Sequence, residues 1–582
     1  MNARNMRDTS VLACGSACAI AVALASGCYT GLSGGAAEGM DGEGSADAGA
    51  DDDGSSGTIP DGPGDDVPPP VDRIGMSGLR RLSVREYADT MRDLLHEESI
   101  DGLNQLPTET LTPFDNDYRD QVASLALIDA VDFLAARASE RLLSDPPRYA
   151  EIVGCVATGP DDEACMRDFV TRFGRRALRR PLTEAEIDDY LHGPTGNDGA
   201  LDHAIEAGAF EVGVDTILRT MLQEPEFLYR VEFGTPVAGE PGLFELSQFE
   251  VATRLSYLVW GSTPDDALLD RAADGALGDS AGLRAAALDM LTDPRAVERV
   301  ARFHAMWLGY AVLPHPAALS SAMQAETTAL VERVVFADKR PWQDLFRFPQ
   351  TFVSDMLAEH YGLPLPGSDE PVWVDYGESG RQGILSHGSF LSIGAKFEDT
   401  SPVLRGKFVR ERLFCQPLQP KPMGVDVDQP VAPEGTVCKV DRFAAHREGA
   451  CAGCHALMDP VGFGLENYDQ LGRYREYEAD NPMTEADESQ CAIEGSGEIV
   501  GVGTFHGPAE LARLALDNGL LEQCVTTQLV RLSAGHSELD DFDQQFVALL
   551  LERIATGDFR FDELVIELVS DEAFRYRREE EA

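Results

Sequence analysis

From about residue 76 onward, apolar residues recur mostly at three- and four-residue intervals, the period of a helix that buries one face. Ser83 opens SVREYADTMRDLL, which puts Tyr87, Met91, Leu94 and Leu95 on one side. Thr183 with Glu186, and Ser247 with Glu250, make capping boxes before EIDDYL and FEVATRLSYLVW. Thr263-Pro264-Asp265-Asp266 opens another helix, with Pro at its first position. AGLRAAALDMLTDP, ERVARFHAMWLGY and ETTALVERVVF continue the style, with Trp260 and Trp307 as core residues. Three more amphipathic segments follow after residue 505: GPAELARLAL, LLEQCVTTQLVRLSAG and FDELVIELVSDEAF. Strand-like runs are few and short, at PVWVDYG and EIVGVGTF. The pattern predicts a mainly α, multi-module helical protein.

The N-terminus reads differently. Arg4 and Arg7 precede an apolar run from Val11 to about Ala25. It is shorter than the ~20 residues that span a bilayer, so it reads as an export signal. The run ends in Leu24-Ala25-Ser26-Gly27-Cys28, which resembles a bacterial lipobox with Leu24 one place early. Lipid at Cys28 is the expectation, and Tyr29, rather than Asp, after it points to the outer membrane. The stretch to residue 75 is Gly, Asp, Ser, Ala and Pro and lacks the apolar surface to offset ordering entropy. Punctuation by Pro and Gly then divides the chain: signal 1–28, acidic tether 29–75, helical modules 76–145, 146–212 and 213–345, a module carrying the Cys-x-x-Cys-His motif at 346–480, and a last helical module 481–582.

Charge and motifs narrow the function classes. With 48 Lys and Arg against 100 Asp and Glu, the net charge is −52. Nucleic-acid binding needs clustered cations and is excluded. The chain has no Gly-rich phosphate loop and no HExxH.

The eleven cysteines matter most. Export removes Cys14 and Cys18, and lipid takes Cys28. CAGCH takes Cys451 and Cys454. Six remain, an even number in an oxidising compartment, so three disulfides are expected. Cys155 and Cys165 flank a Gly-Pro-Asp-Asp turn and are the natural local pair. The pairing of Cys415, Cys438, Cys491 and Cys524 is open.

CAGCH admits three chemistries. Zinc needs about four ligands, and no second CxxC or HxxxH is present. A thioredoxin-like motif needs a strand–helix setting, whereas this context is helical and irregular. Covalent haem c needs two thiols for the vinyl groups and a histidine directly after the second, which the motif supplies. Cys451 and Cys454 are therefore the expected haem attachments, and His455 the proximal iron ligand.

The surrounding RFAAHREGACAGCHALMDPVGFGLENYDQLGRYRE resembles the haem segment of the large planctomycete- and myxobacterial-type cytochrome c-like proteins, which are built from domains of unknown function. LRRLSVREYADTMRDLL, FVTRFGRRALRRPLTEAEI, LSQFEVATRLSYLVWGSTPDDALL, GILSHGSFLSIGAKFEDTSPVLRGKFVRERLFCQPL and ELARLALDNGLLEQCVTTQLVRLSAGH resemble their other modules, in the same order. The resemblance implies an exported, mostly helical protein with one haem c and brings no established substrate. Where the family often has Arg, this chain has His536, read as surface variation.

The sixth iron ligand is open. His387, where relatives often show histidine, and His446, on the segment entering the motif, are the candidates; Met423, Met483 and His506 lie further off. Met458, one turn past His455, is expected to pack rather than ligate. Asp459, Pro460 and Gly462 read as the turn that leaves the helix, with the Pro460 carbonyl orienting His455. Arg405, Lys407, Arg473 and Arg475 meet the haem propionates or are surface charge. Glu224 and Glu226 read as capping or packing residues rather than an acid pair.

Three functions follow as expectations. The first is electron transfer to a redox partner protein, at the periplasm or cell surface, from a body tethered to the membrane by lipid. The second is a haem redox enzyme, peroxidase- or oxidase-like, with an open sixth position. The third is a module that binds a surface polymer or protein and is stabilised by haem.

Overall fold

Helices start where a side chain satisfies the first free backbone N–H groups. In the computed structural model, Ser83 Oγ accepts from Glu86 N at 3.2 Å, and Glu86 accepts from Ser83 N at 3.1 Å. Thr183 with Glu186 and Ser247 with Glu250 close the two predicted boxes. The helix Val84–Leu95 buries Tyr87, Met91, Leu94 and Leu95, the face its periodicity marks. One start is corrected: Asp265 is the cap of Asp266–Ala273, so Pro264 lies before the helix. A helix that the sequence reading passed over, Asp541–Ile554, is opened by Asp540 and Asp543, an all-aspartate version of the same box.

The structure describes residues 71–396, 399–419, 438–447, 451–478 and 488–579. Cys28, residues 29–70 of the acidic tether, Met423 and Met483 lie outside them, whereas residues 71–75, expected in the tether, belong to the folded body, with Ile74 3% exposed. Among the described residues there are 23 α-helices and only small sheets of two or three strands. Among the described residues, no helix is long and apolar enough to cross a membrane.

Residues Pro68–Ala582 form one unit around two main cores. The first is built from Leu82 to Phe227, so the helices Leu125–Leu143, Glu163–Ala177 and Phe210–Met221 share it across the junctions at 146 and 213. The second runs from Leu246 to Phe574 and contains Trp260, Trp307 and Trp342. Each core borrows from the other's chain: Tyr257 packs in the first, its hydroxyl 2.9 Å from Thr90 Oγ1, and Phe114 packs in the second. Buried ion pairs reinforce the body. Glu232 takes Arg80 and Arg254, each at 2.7 Å.

Of the two strand-like runs, PVWVDYG supplies Val372–Asp375, which pairs with Gln350–Val353, a strand the sequence reading passed over, and EIVGVGTF falls on the hairpin of Ser496–Ile499 with Gly503–His506. The final strand Tyr576–Arg578 pairs with Leu243–Glu245, and Arg578 also bridges Met76. His536 is corrected from surface to interior. It is 2% exposed, with ring nitrogens 2.8 Å from Glu538 O and 3.2 Å from Met76 O.

Three disulfides form, as the cysteine count predicts: Cys155–Cys165, Cys415–Cys524 and Cys438–Cys491. The last two settle the pairing that the sequence left open.

Candidate functional site

Among the described residues, Cys451 and Cys454 are the cysteines outside disulfides, and both are half-buried. Cys451 caps the helix Ala452–Phe463, which carries Cys454, His455, Met458 and Asp459. The expected turn at Asp459-Pro460 is a correction: the helix runs through Pro460 to Phe463. A proline disfavours helical backbone just before it, which is why the sequence argues for an end there. Tertiary packing overrides that preference. The helix Pro402–Phe408 crosses so closely that a Cβ on Gly406 would meet the Met458 carbonyl oxygen at 1.8 Å, and one on Gly462 would meet the Pro402 carbonyl oxygen at 1.8 Å. Two glycines thus let backbone touch backbone, and Met458 is buried in packing as expected.

A second brace ties the entry of the motif to its exit. Cys438, bonded to Cys491, precedes Lys439, whose ammonium reaches Asp399 at 2.8 Å and Glu466 at 3.0 Å. Glu466 also takes Arg405 at 3.2 Å and Arg475 at 3.1 Å. Burial pushes the Glu466 carboxyl up, but Lys439, Arg405 and Arg475 outweigh it and hold the group below the usual range. Arg405 is 3% exposed and donates to the carbonyls of Leu391, Leu465, Tyr468 and Asp469. It is structural, neither surface charge nor placed for a propionate. Lys407 lies 3.8 Å from Glu411, and Arg473 pairs with Asp469 at 2.8 Å.

The centre of the site is a carboxylate gripping two imidazoles. Asp459 Oδ1 lies 2.9 Å from His455 Nδ1, and Asp459 Oδ2 lies 3.2 Å from His446 Nδ1. The two rings are 3.9 Å apart, tilted by 44°. Phe443 packs edge-on to His446 and to Phe463, which fixes the second ring from behind. Burial and the neighbouring His455 hold His446 below the ordinary imidazole value, against the pull of Asp459. The orienting group of His455 is therefore the Asp459 carboxylate and not the Pro460 carbonyl, which receives the Gly464 N–H at 3.4 Å. The signal was present in the sequence as His and Asp four residues apart, one helical turn.

His387, the other candidate ligand, sits in a different environment. It is fully buried, with Nδ1 2.9 Å from Thr327 Oγ1 and Nε2 3.7 Å from Glu326. Burial, and then Arg381, lowers its pKa to about 3, while burial raises Glu326 to about 7. Sequence reasoning missed Glu326, because one acidic residue within ETTALVERVVF carries no sign that it faces inward. Glu224 stands at the start of the helix Pro225–Leu228 without a side-chain cap bond and accepts from Tyr190, while Glu226 pairs with Arg180 at 2.6 Å. His506 is exposed at the edge of a hairpin.

Protein-family models match three stretches of the chain, each described as a protein of unknown function: PSD5 (DUF1595) over 165–232, PSD4 (DUF1592) over 246–363 and PSCyt3 (DUF1588) over 381–478. These are modules of the series seen in planctomycete-type cytochrome c-like proteins, and the PSCyt3 stretch contains Cys451, Cys454, His455, His446 and Asp459. No curated protein and no solved structure matches the chain.

Proposed function

We propose that this assembly of modules of unknown function is an exported haem c protein that acts in electron transfer, anchored by lipid at Cys28 to the outer membrane. The observation that carries the reading is the donor set. Two unpaired thiols three residues apart precede a histidine whose Nδ1 is engaged by a carboxylate. An imidazole that donates from Nδ1 keeps Nε2 as a lone pair, the form a metal requires. Cys451 and Cys454 would hold the porphyrin, and His455 would bind its iron.

The bound group would supply a one-electron Fe(III)/Fe(II) couple. The chain's own residues do the rest. The Gly406–Gly462 crossing and the Lys439–Glu466 pair hold the motif helix rigid. Asp459 fixes the tautomer and direction of His455. The label PSCyt3 on the matched module agrees with this reading. The partner is a redox protein docked at the motif.

Expression in an export-competent host with haem c maturation, followed by haem staining of a denaturing gel, tests it. The wild type stains and Cys454→Ala does not. Staining that is equal in both, or absent from the wild type, overturns the reading. The second reading, a haem redox enzyme, is favoured by the carboxylate on His455, because a more basic proximal ligand stabilises higher oxidation states of iron. Binding of carbon monoxide to the reduced protein and of cyanide to the oxidised protein distinguishes the two.

A further inference from the structure

We infer that Asp459 is a positioning residue that grips two imidazoles on one side of the porphyrin, giving His455 anionic character and leaving His446 on the proximal side, off the sixth position. The inference rests on the haem reading above and concerns what this chain does to the group.

The first argument is spatial. A porphyrin between two axial imidazoles needs ring centres roughly 6 Å apart, since each metal–nitrogen bond is about 2 Å and each ring centre lies about 1 Å beyond its nitrogen. The centres of His446 and His455 are 3.9 Å apart. The two rings pack against each other, and no macrocycle fits between them. The second argument is connectivity. Asp459 lies four residues after His455 on one helix, so its carboxylate stands on the proximal side. The same carboxylate binds His446, and a group held there stays on that side. Phe443 and Phe463 back the arrangement.

The chemical consequence follows from hydrogen bonding alone. A carboxylate accepting from Nδ1–H draws the proton toward itself, and the far nitrogen becomes a stronger donor to the metal. Fe(III) gains more from such a ligand than Fe(II), so the reduction potential falls. His446 takes the second oxygen of the carboxylate and keeps it from turning away from His455.

The test uses the full chain as wild type, Asp459→Asn, Asp459→Glu and His446→Ala, each expressed with haem c maturation. In spectroelectrochemical titration, Asp459→Asn shifts the Fe(III)/Fe(II) equilibrium toward Fe(II) by about tenfold or more, the scale of second-sphere losses at metal sites. Tenfold is about 59 mV upward for one electron. Asp459→Glu recovers part of the shift. His446→Ala leaves the axial coordination unchanged in its electron paramagnetic resonance spectrum. A change of less than twofold in Asp459→Asn, or conversion of His446→Ala from low-spin to high-spin iron, overturns the inference while leaving the haem assignment standing.

If Asp459→Asn fails to mature, 15N shifts of His455 in the unloaded chains decide the matter. The wild type shows the Nδ1–H tautomer, and an Nε2–H tautomer overturns the inference. A wild type that binds no haem overturns the proposed function, and the 15N measurement still reports whether Asp459 grips His455.

Discussion

Glu326 and His387 face each other inside the second core, 3.7 Å apart and both fully buried, and their proton linkages have opposite signs. Thr351 and Tyr361 donate to Glu326, Thr327 and Ser389 stand at the other side of His387, and Arg381 acts on both. Folded Glu326 keeps its proton up to about 7, against an ordinary 4.5, so its contribution to stability is lost as pH rises through that window. His387 titrates near 3 instead of 6.5, so its contribution is present above 6.5 and lost as pH falls. Between pH 4.5 and 6.5 each changes stability by about 1.4 kcal/mol per unit, roughly 3 kcal/mol in all, and the two cancel in the wild type. Glu326→Gln leaves only the histidine term, and His387→Asn leaves only the carboxyl term. For a body of about 510 residues the unfolding entropy is roughly 1 kcal/mol/K, so 3 kcal/mol is about 3 °C. Calorimetric Tm values at pH 4.5, 5.5 and 6.5 provide the assay. Relative to wild type, Glu326→Gln rises by about 3 °C across the series and His387→Asn falls by about 3 °C. Variants that track the wild type in parallel refute the linkage.

Gly462→Ala drives a methyl into the Pro402 carbonyl; by overpacking it costs about 1–3 kcal/mol, read as a lower Tm, with loosened near-ultraviolet dichroism around the motif. Cys155→Ser with Cys165→Ser opens a loop of ten-residue separation and lowers stability by about 3 kcal/mol in denaturant titration, while the double variant still folds. Cys28→Ser releases the protein from the membrane fraction with its haem stain intact; equal membrane retention refutes lipid anchoring.

Local rules made much of this fold legible. Two capping boxes, the buried face of Val84–Leu95, the hairpin of Ser496–Ile499 with Gly503–His506 and the Cys155–Cys165 pair each depend on residues within about a dozen positions. The site was legible as a motif but not as an assembly. Asp459 read as part of a turn because Pro460 argues locally against helix, and the close crossing that reverses this comes from Gly406, more than fifty residues upstream. Arg405 looked like surface charge because its partner Glu466 lies 61 residues away. His387 was a candidate ligand by its match to relatives, and nothing in its own stretch announces Glu326 or Thr327 as its neighbours. Cations and histidines take their meaning from partners that only folding supplies.

The meeting of the first and last segments of the folded body has a consequence in time. Arg578 donates to Ile74 O at 2.9 Å across a separation of 504 residues, and Arg254 takes the carbonyls of Phe574 and Tyr576. Contacts this distant in sequence form late, because loop closure must precede any reward from the contact. The first core, drawn almost wholly from residues before 228, can collapse while the rest of the chain is still being made. Until the last strand arrives, however, the strand Leu243–Glu245 lacks one neighbour and the Arg254 guanidinium lacks two of its acceptors. A nascent or shortened chain therefore displays an under-bonded cation and an open sheet edge, the kind of edge on which another chain can pair.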